Sequence, residues 1–179
     1  MSKKSAMREL RAELADALEL ARPSSPEAVF KALCDHLGTR RGRPVEYRLV
    51  EFPPGTASGL YLDMADRDVI CVEAKTSPWH QLVILGHEFW HMVAGHCGQH
   101  SAGAAVASRL LTDDADLNAA LQVAARTDFR QAEEAAAEFF GLALAGQLRG
   151  WMEGADHVAP RSELAKRIQA SLGHRHRSG

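Results

Sequence analysis

The stretch LVILGHEFWHMVAGH, from Leu82 to His96, decides how the rest of the chain is interpreted. Its apolar residues predict a buried helix, yet it contains three histidines and one carboxylate, Glu88. Glu88 is the only Asp, Glu, Lys or Arg side chain between Lys75 and Arg109. An isolated carboxylate in apolar surroundings costs several kcal/mol unless it is compensated, so this helix needs a partner for Glu88.

The segment HEFWH, residues 87–91, has the form HExxH. Residues four apart on an α-helix share one face, so His87 and His91 can each direct a ring nitrogen at a common zinc ion about 2.0–2.1 Å away. Glu88 then lies beside the ion, placed to accept a proton from a water molecule that zinc acidifies. The alternative is a buried helix with two hydrogen-bonded histidines. The otherwise uncharged helix and its start signal at Ser77 favour one bound zinc ion.

A hydrolytic zinc site usually has three protein ligands and one open position, so two histidines are not enough. The segment EEAAAEFFGLAL, which begins at Glu133, predicts an alanine-rich helix that can pack against the HExxH helix. Glu134 and Glu138 share one face of it. Glu134 is the predicted third ligand, and Glu138 is predicted to accept the N–H of a ligand histidine. Glu133 is an alternative third ligand. If neither glutamate binds metal, these residues form a solvated face of the helix.

His96 and Cys97 are the other nearby candidates for a third ligand. The metzincin pattern HExxHxxGxxH would need glycine at position 94 and histidine at position 97, where this chain has Ala94 and Cys97. His96 follows His91 by five residues and faces another direction unless the helix breaks at Gly95. We interpret His96 as a helix-terminal histidine, whose positive charge the helix dipole favours, and Cys97 as a weaker candidate.

Composition and charge argue against several other classes of protein. The chain has 179 residues and a formal net charge of -2, which gives no general attraction to nucleic acid or to anionic membranes. The basic loop Thr39–Pro44 has no aromatic residue among its charges and predicts a solvated turn. No apolar run approaches the roughly 20 residues that span a bilayer. Three widely spaced cysteines without a recognisable signal peptide predict reduced thiols, so we expect a cytoplasmic protein.

The remaining segments predict an α+β fold. Residues 5–21 and 26–38 have helical spacing, and Ser25 at the N-cap with Pro26 after it begins the second helix, which Gly38 ends. Alternation of apolar and polar residues predicts the strand VEYRLVEF, and two further short strands, LYLDM and DVICVEA, are predicted around a turn at residues 65–67. We therefore predict a small antiparallel sheet of about three strands, packed against a helical, zincin-like metallopeptidase core with the HExxH helix. Further helices are predicted for DADLNAALQVAA, for residues 127–152 with Thr127 or Asp128 as cap, and for RSELAKRIQASL.

The domain organisation follows from these elements. We expect N-terminal helices in residues 1–43, part of or appended to the core, and a zinc metallopeptidase-like core in residues 44–150. A C-terminal helix in residues 151–172 and a disordered tail in residues 173–179 follow. The two histidines of the tail are interpreted as part of a solvated basic end rather than as a metal site.

At these residues the chain resembles the ImmA/IrrE-type zinc metallopeptidases, a gluzincin family of bacteria and their mobile elements. A strand running into a capped helix, DVICVEAKTSPWHQLVILGHEFWH, leads into HEFWHMVAGH, which is similar to the family's HEx-G-H motif with a later Gly-His. The segment EAAAEFFG resembles its E-x-x-A-[NE]-x-F-A element, with Glu134 and Glu138 at the matching acidic positions. The resemblance covers roughly residues 45–148.

The chain also departs from the family pattern. Trp90 stands where the family usually has glycine, Gly141 replaces the usual alanine, and LALAGQL replaces the common Leu-Leu-Met-Pro ending. No helix-turn-helix domain is predicted before the catalytic region, and no sensor domain after it. The resemblance implies selective cleavage of a bacterial helix-turn-helix transcriptional repressor within a paired regulator–protease system.

We therefore expect a zinc metalloendopeptidase in which His87, His91 and Glu134 bind the ion and Glu88 transfers the proton. An extended peptide is expected to pair with the DVICVEA strand at an edge of the sheet. The residue that stabilises the oxyanion is left open among four candidates: Tyr61, His80, His96 and His100.

Two other classes of protein stay open from the sequence. One is a catalytically weak or inactive zinc-binding regulatory module that sequesters a transcription factor without cutting it. The other is a structural zinc domain, in which Glu88 would have no role. No direct nucleic-acid or membrane partner is expected in any of these cases.

Overall fold

In the computed structural model, the residues described are 2–52, 57–95 and 131–152. Two helices come first, three strands follow, and the remaining helices complete the described chain. The elements are α1 (Lys3–Ala21), α2 (Pro26–Arg41), β1 (Val45–Val50), β2 (Gly59–Asp63), β3 (Asp68–Glu73), α3 (Pro78–Ala94), α4 (Gln131–Gln147) and α5 (Arg149–Met152). The combination of helices with a small three-stranded sheet confirms the predicted α+β class.

The helix starts predicted from serine and proline are confirmed. The Ser25 side chain accepts a hydrogen bond from a backbone N–H in the first turn of α2, and Pro26 lies in that turn. Ser77 caps α3 in the same way. These caps satisfy backbone donors that have no partner within the helix. At the other end, α3 stops after Ala94 because Gly95 adopts the left-handed conformation, with φ of 73°.

The prediction that the second helix ends at Gly38 is wrong. α2 continues to Arg41, and Gly42, with φ of 69°, ends it. A Cβ at Gly38 would lie 3.2 Å from the backbone oxygen of Arg43, so this glycine makes room for the chain as it turns into β1. The segment Thr39–Pro44 is accordingly not a solvated turn, because its last two arginines form ion pairs with half-buried or buried aspartates.

The strand β3 lies in the centre of the sheet, whose order is β1-β3-β2. β2 pairs with β3 in antiparallel orientation, whereas β1 pairs with β3 in parallel orientation. The prediction of an antiparallel sheet is therefore wrong for one of its two pairings. The segment between Val50 and Gly59 is long enough to cross to the far side of β3, since neighbouring strands lie only about 4.8 Å apart.

The helix α3 is enclosed between the sheet and α4. β2 and β3 contact it on one side and α4 contacts it on another, so its buried residues include polar as well as apolar side chains. A helix that is apolar nearly all round belongs in the interior of a protein. Gln81 fixes its beginning, since the side-chain amide donates to the backbone oxygens of Glu73 and Ala74 at 3.3 and 3.2 Å. The site is therefore built on a well-anchored helix.

The helices share one apolar core with one face of the sheet. Side chains of α1 and α2 belong to the same cluster as those of α3 and α4, so residues 1–43 pack into the core of residues 44–150. Alternate residues of a strand point to opposite faces, and the other face carries a second cluster. Its buried members are Leu62, Met64, Val69 and Cys71.

Several predictions lie outside the described residues. They concern the helix DADLNAALQVAA, the caps Thr127 and Asp128, the tail 173–179, most of the C-terminal helix 151–172, and His96, Cys97 and His100. Cys34 and Cys71 are described, and both are buried free thiols. Within the ranges that the structure describes, no helix is long and apolar enough to cross a membrane.

Candidate metal centre

His87 and His91 lie one turn apart on α3 and direct their rings toward a common point. The two Nε2 atoms are 3.0 Å apart, and the ring centroids are separated by 4.7 Å. His91 is buried, whereas His87 is partly exposed. The helical spacing thus brings the two imidazoles together as the sequence predicted.

Glu134, on α4, completes the group. Its Oε2 lies 3.3 Å from His87 Nε2, and its Oε1 lies 3.2 Å from His91 Nε2. The ligand atoms of the three residues all lie within 4.8 Å of one another and could hold a metal ion. In a tetrahedral zinc site with bonds of about 2.0–2.1 Å, neighbouring ligand atoms are separated by about 3.3 Å. The distance between the two nitrogens and the distance from each nitrogen to its nearer carboxylate oxygen are therefore close to that separation.

Glycines at the contact between α3 and α4 allow this approach. A Cβ at Gly141 would lie 2.4 Å from the backbone oxygen of Val83 and 3.0 Å from the backbone nitrogen of His87. A Cβ at Gly86, on α3, would lie 3.0 Å from the Cα of Gly141. Glu134 lies two turns before Gly141 on the same helix, so this contact sets how far its carboxylate reaches. Sequence reasoning considered Gly141 only in the comparison with a family pattern and did not predict this packing contact.

Trp90 faces the core. Its side chain is buried, and its ring centroid lies 5.4 Å from that of Phe140 on α4. Its indole Nε1 is buried without a hydrogen-bond partner among the described residues. The indole of Trp90 therefore packs α3 against α4.

Glu88 lies buried beside the three candidate ligands. Burial raises its pKa to about 8, the negative charge of Glu134 adds to this effect, and a hydrogen bond from the backbone of Tyr61 opposes it. Without a cation nearby, the carboxyl group therefore keeps its proton at neutral pH. A positive charge placed among the three ligands would favour the carboxylate instead.

β2, which is an edge strand among the residues that the structure describes, lies against Glu88. A Cβ at Gly59 would lie 2.6 Å from Glu88 Oε1 and 2.6 Å from Ile84 Cγ2, so no larger residue fits without a shift. The backbone N–H of Tyr61, two residues later, donates to the Glu88 carboxylate. Sequence reasoning missed both contacts. A glycine at the first position of a strand was the one available signal, since it often marks a close approach of another group.

The second glutamate of the predicted pair, Glu138, is exposed. Burial lowers the pKa of His87, and the charge of Glu138 opposes that effect. Lowering favours the neutral imidazole, which is the form that binds a metal. The prediction that Glu138 accepts an N–H from a ligand histidine stays a prediction. Of the two adjacent glutamates, Glu134 rather than Glu133 lies within the group that the described residues form.

Two of the four candidates for oxyanion stabilisation fall within the described residues. The Tyr61 hydroxyl donates to Asp68 Oδ1 at 2.8 Å in a buried network. His80 lies in the first turn of α3, about 10 Å along the helix from His87, and its Nδ1 is 3.1 Å from Thr76 Oγ1. These positions favour neither residue as the oxyanion donor.

No protein-family model, no curated protein and no solved structure matches this chain.

Proposed function

We propose that this protein is a zinc-dependent metalloendopeptidase. The proposal depends on one observation: the Nε2 atoms of His87 and His91 are 3.0 Å apart, and each faces one oxygen of the Glu134 carboxylate, at 3.3 and 3.2 Å, beside the buried carboxyl group of Glu88. Two imidazoles and one carboxylate are a donor set typical of hydrolytic zinc sites with one open position. One zinc ion per chain is therefore the proposed cofactor.

The proposed chemistry divides the work between the ion and the chain. Held by His87, His91 and Glu134, a zinc ion would supply Lewis-acid polarisation of the scissile carbonyl group and would acidify a water molecule. Glu88 would accept a proton from that water and deliver it to the leaving amine. The backbone N–H of Tyr61 holds the Glu88 carboxylate in place for both transfers. Burial of His87 favours its neutral ring, which keeps a nitrogen lone pair for the ion.

The outer edge of β2 is the proposed docking place for an extended peptide. The expectation that the peptide pairs with the strand DVICVEA is wrong, because this strand is β3, which has β1 on one side and β2 on the other. β2 is the edge strand that contacts Glu88, through Gly59 and Tyr61. A peptide that adds to this edge would place its backbone next to the proposed metal site.

The proposed substrate is a bacterial helix-turn-helix transcriptional repressor. Its support is the resemblance of HEFWHMVAGH and EAAAEFFG to the ImmA/IrrE-type metallopeptidases. A protease that acts in such a regulator–protease pair would be selective for one partner protein. The partner is best sought among helix-turn-helix proteins encoded near this chain.

The test is Glu88→Gln, which keeps the size of the side chain and removes its ability to accept a proton. The purified variant should fold and contain as much zinc as the unaltered protein, because Glu88 is not among the proposed ligands. Co-expressed with neighbouring helix-turn-helix proteins, it should leave the partner intact while the unaltered protein cleaves it. Mass spectrometry of the partner reads this out, and Glu9→Gln, on the exposed side of α1, is the matched control that should cleave normally.

A zinc-binding module that sequesters a transcription factor is the competing function. In that case the unaltered protein and the Glu88→Gln variant would both bind the partner and leave it uncut. Equal regulation of the partner by the two proteins would therefore reject the peptidase and favour the module.

A further inference from the structure

A buried network of charges joins β2, β3 and α2 beside the proposed site. At its centre is Asp68, the first residue of β3, whose side chain is fully buried. Asp68 accepts hydrogen bonds from Arg41 Nε at 2.6 Å and from the Tyr61 hydroxyl at 2.8 Å, and Arg43 Nε lies 3.7 Å away. A buried carboxylate needs such partners to replace lost water, so these side chains hold one another in fixed positions.

Arg41 extends this network to α3. One of its nitrogens, Nη2, donates to the Tyr61 hydroxyl at 3.3 Å, and the other, Nη1, donates to the backbone oxygen of Met92 at 3.4 Å. The guanidinium group is planar and its donors point in fixed directions. It therefore links β3, β2 and the last turn of α3 at set angles. Met92 lies one turn after Glu88 on that helix.

Tyr61 consequently connects β2 with α3 in two ways. Its backbone N–H donates directly to the Glu88 carboxylate, and its hydroxyl is joined through Arg41 to Met92. Gly59 lets the same strand lie against Glu88. Among the described strands β2 pairs only with β3, and the contacts of Gly59 and Tyr61 help to set its distance from α3.

We infer that Tyr61 is a positioning residue that fixes the Glu88 carboxyl group for proton transfer. Asp68 and Arg41 hold the phenol ring, the ring holds β2, and the backbone of β2 holds Glu88. This inference rests on the proposed function, because it assumes that Glu88 transfers the proton. Tyr61, Arg41 and Asp68 are not among the proposed ligands, so zinc content should stay unchanged when these residues are altered.

Tyr61→Phe tests the inference, because it removes the hydroxyl and keeps the ring in the core. In the zinc-loaded full chain, the backbone N–H of residue 61 should exchange with solvent about tenfold faster in NMR measurements, since the side chain of residue 61 no longer bonds to Asp68 and Arg41. With the partner regulator as substrate, kcat should fall about tenfold while KM stays within about twofold and zinc content is unchanged. Asp68→Asn should act in the same direction and gives a second reading if the first variant folds poorly.

Tyr47→Phe is the matched control. Tyr47 lies on β1, at the other edge of the sheet, and its hydroxyl donates to the backbone oxygen of Glu27 at 3.5 Å. Tyr47→Phe thus removes a tyrosine hydroxyl group from the strand at the opposite edge of the sheet. Exchange at residue 61 and kcat should both stay at the values of the unaltered protein.

Each other outcome also has a definite meaning. Unchanged exchange at residue 61 in Tyr61→Phe overturns the inference, whether or not the protein cleaves anything. Faster exchange with an unchanged kcat overturns the positioning role as well. If the unaltered protein cleaves no partner, the proposed peptidase function is what fails. The exchange data then decide the structural link alone, and Glu88→Ala, which removes both acceptor oxygens, should also accelerate exchange at residue 61 if that link exists.

Discussion

At the scale of single residues, the buried carboxyl group of Glu88 affects how stability depends on pH. Its pKa is raised from 4.5 to about 8, mainly by burial, so the metal-free folded chain keeps a proton in this range that the unfolded chain releases. By linkage, the free energy of unfolding falls as the pH rises from 4.5 to about 8. Burial lowers the pKa of His87 below 6.5. Just below pH 6.5 the unfolded chain therefore binds more protons at this residue than the folded chain does, so this residue makes the free energy of unfolding rise with pH in that range.

Glu88→Gln isolates the contribution of this carboxyl group. In the presence of a chelator, the stability of the variant relative to the unaltered protein should increase between about pH 5 and about pH 8.5, because glutamine has no proton to lose. Urea unfolding at several pH values measures the difference, and both proteins keep His87 and Glu134, so the titrations of those residues largely cancel. Parallel pH profiles would show that Glu88 is not desolvated in the folded chain.

A second residue-scale prediction separates the two adjacent glutamates. Glu134→Ala should lower the affinity for zinc by at least about tenfold, because one of three ligands is lost. The zinc content of the purified protein should fall as a result. Glu133→Ala is the matched control and should keep its zinc, since Glu133 lies outside the group that could hold a metal. Elemental analysis after dialysis against a weak chelator measures both. Equal loss in the two variants, or loss only with Glu133→Ala, would contradict the proposed ligand set.

The sequence predicted part of this site and could not predict the rest. The juxtaposition of His87 and His91 follows from helical geometry alone, because the spacing of four residues lies within one element. The contact of Tyr61 and Gly59 with Glu88 depends on how a strand meets a helix, and no local pattern encodes that. The placement of Glu134 was predicted from a resemblance and an alanine-rich helix, and the structure brings it to the histidines.

At the scale of elements, the close contact between α3 and α4 determines whether Glu134 reaches the histidines. Gly141→Ala would place a Cβ 2.4 Å from the backbone oxygen of Val83, so the helices must separate or the chain must shift. We expect a loss of about 1–3 kcal/mol in the free energy of unfolding. Zinc affinity should fall as well, because α4 carries Glu134. Denaturant unfolding and metal titration measure the two effects.

Gly146→Ala provides the control on the same helix. A Cβ at Gly146 meets nothing within 4 Å, so the substitution adds helix propensity without a clash. It should raise the free energy of unfolding by up to about 1 kcal/mol and leave zinc affinity unchanged. Similar stability changes in the two alanine variants would show that the contact at Gly141 does not control helix packing.

Prediction from the sequence was most successful where an element carries its own signal. Ser25 and Ser77 mark helix starts because their hydroxyl groups satisfy nearby backbone donors, which is a local effect. Gly38 was misread as a helix end, because its glycine is needed for the close approach of Arg43 rather than for a left-handed cap. The parallel pairing of β1 with β3 also escaped prediction, since alternation of residues gives the burial of a strand and not the direction of its neighbour.

At the scale of the whole molecule, the proposed ligands come from two helices far apart in the sequence. An ion bound by both would favour the folded state, since the unfolded chain does not hold the three ligands together. At a free zinc concentration about 100-fold above Kd, the expected gain is about 2.7 kcal/mol. For a chain of this length that corresponds to a rise in Tm of roughly 5–10 °C.

Calorimetry with zinc and with a chelator measures this gain. His87→Ala should unfold at the same temperature under both conditions, whereas His36→Ala, which alters a histidine on α2, should respond as the unaltered protein does. A Tm that does not change with zinc in the unaltered protein would contradict the proposed metal site.

The indole of Trp90 is an intrinsic fluorophore at the contact between α3 and α4. Trp90 directly precedes the proposed ligand His91, and its ring is buried against Phe140. The fluorescence of this ring should therefore be blue-shifted while the two helices are together. Any opening that let Glu134 leave the histidines would admit water to this ring and shift the emission to the red. In a variant that carries Trp79→Phe and Trp151→Phe, which removes the other two tryptophans, loss of the site could therefore be followed in real time without attaching a dye.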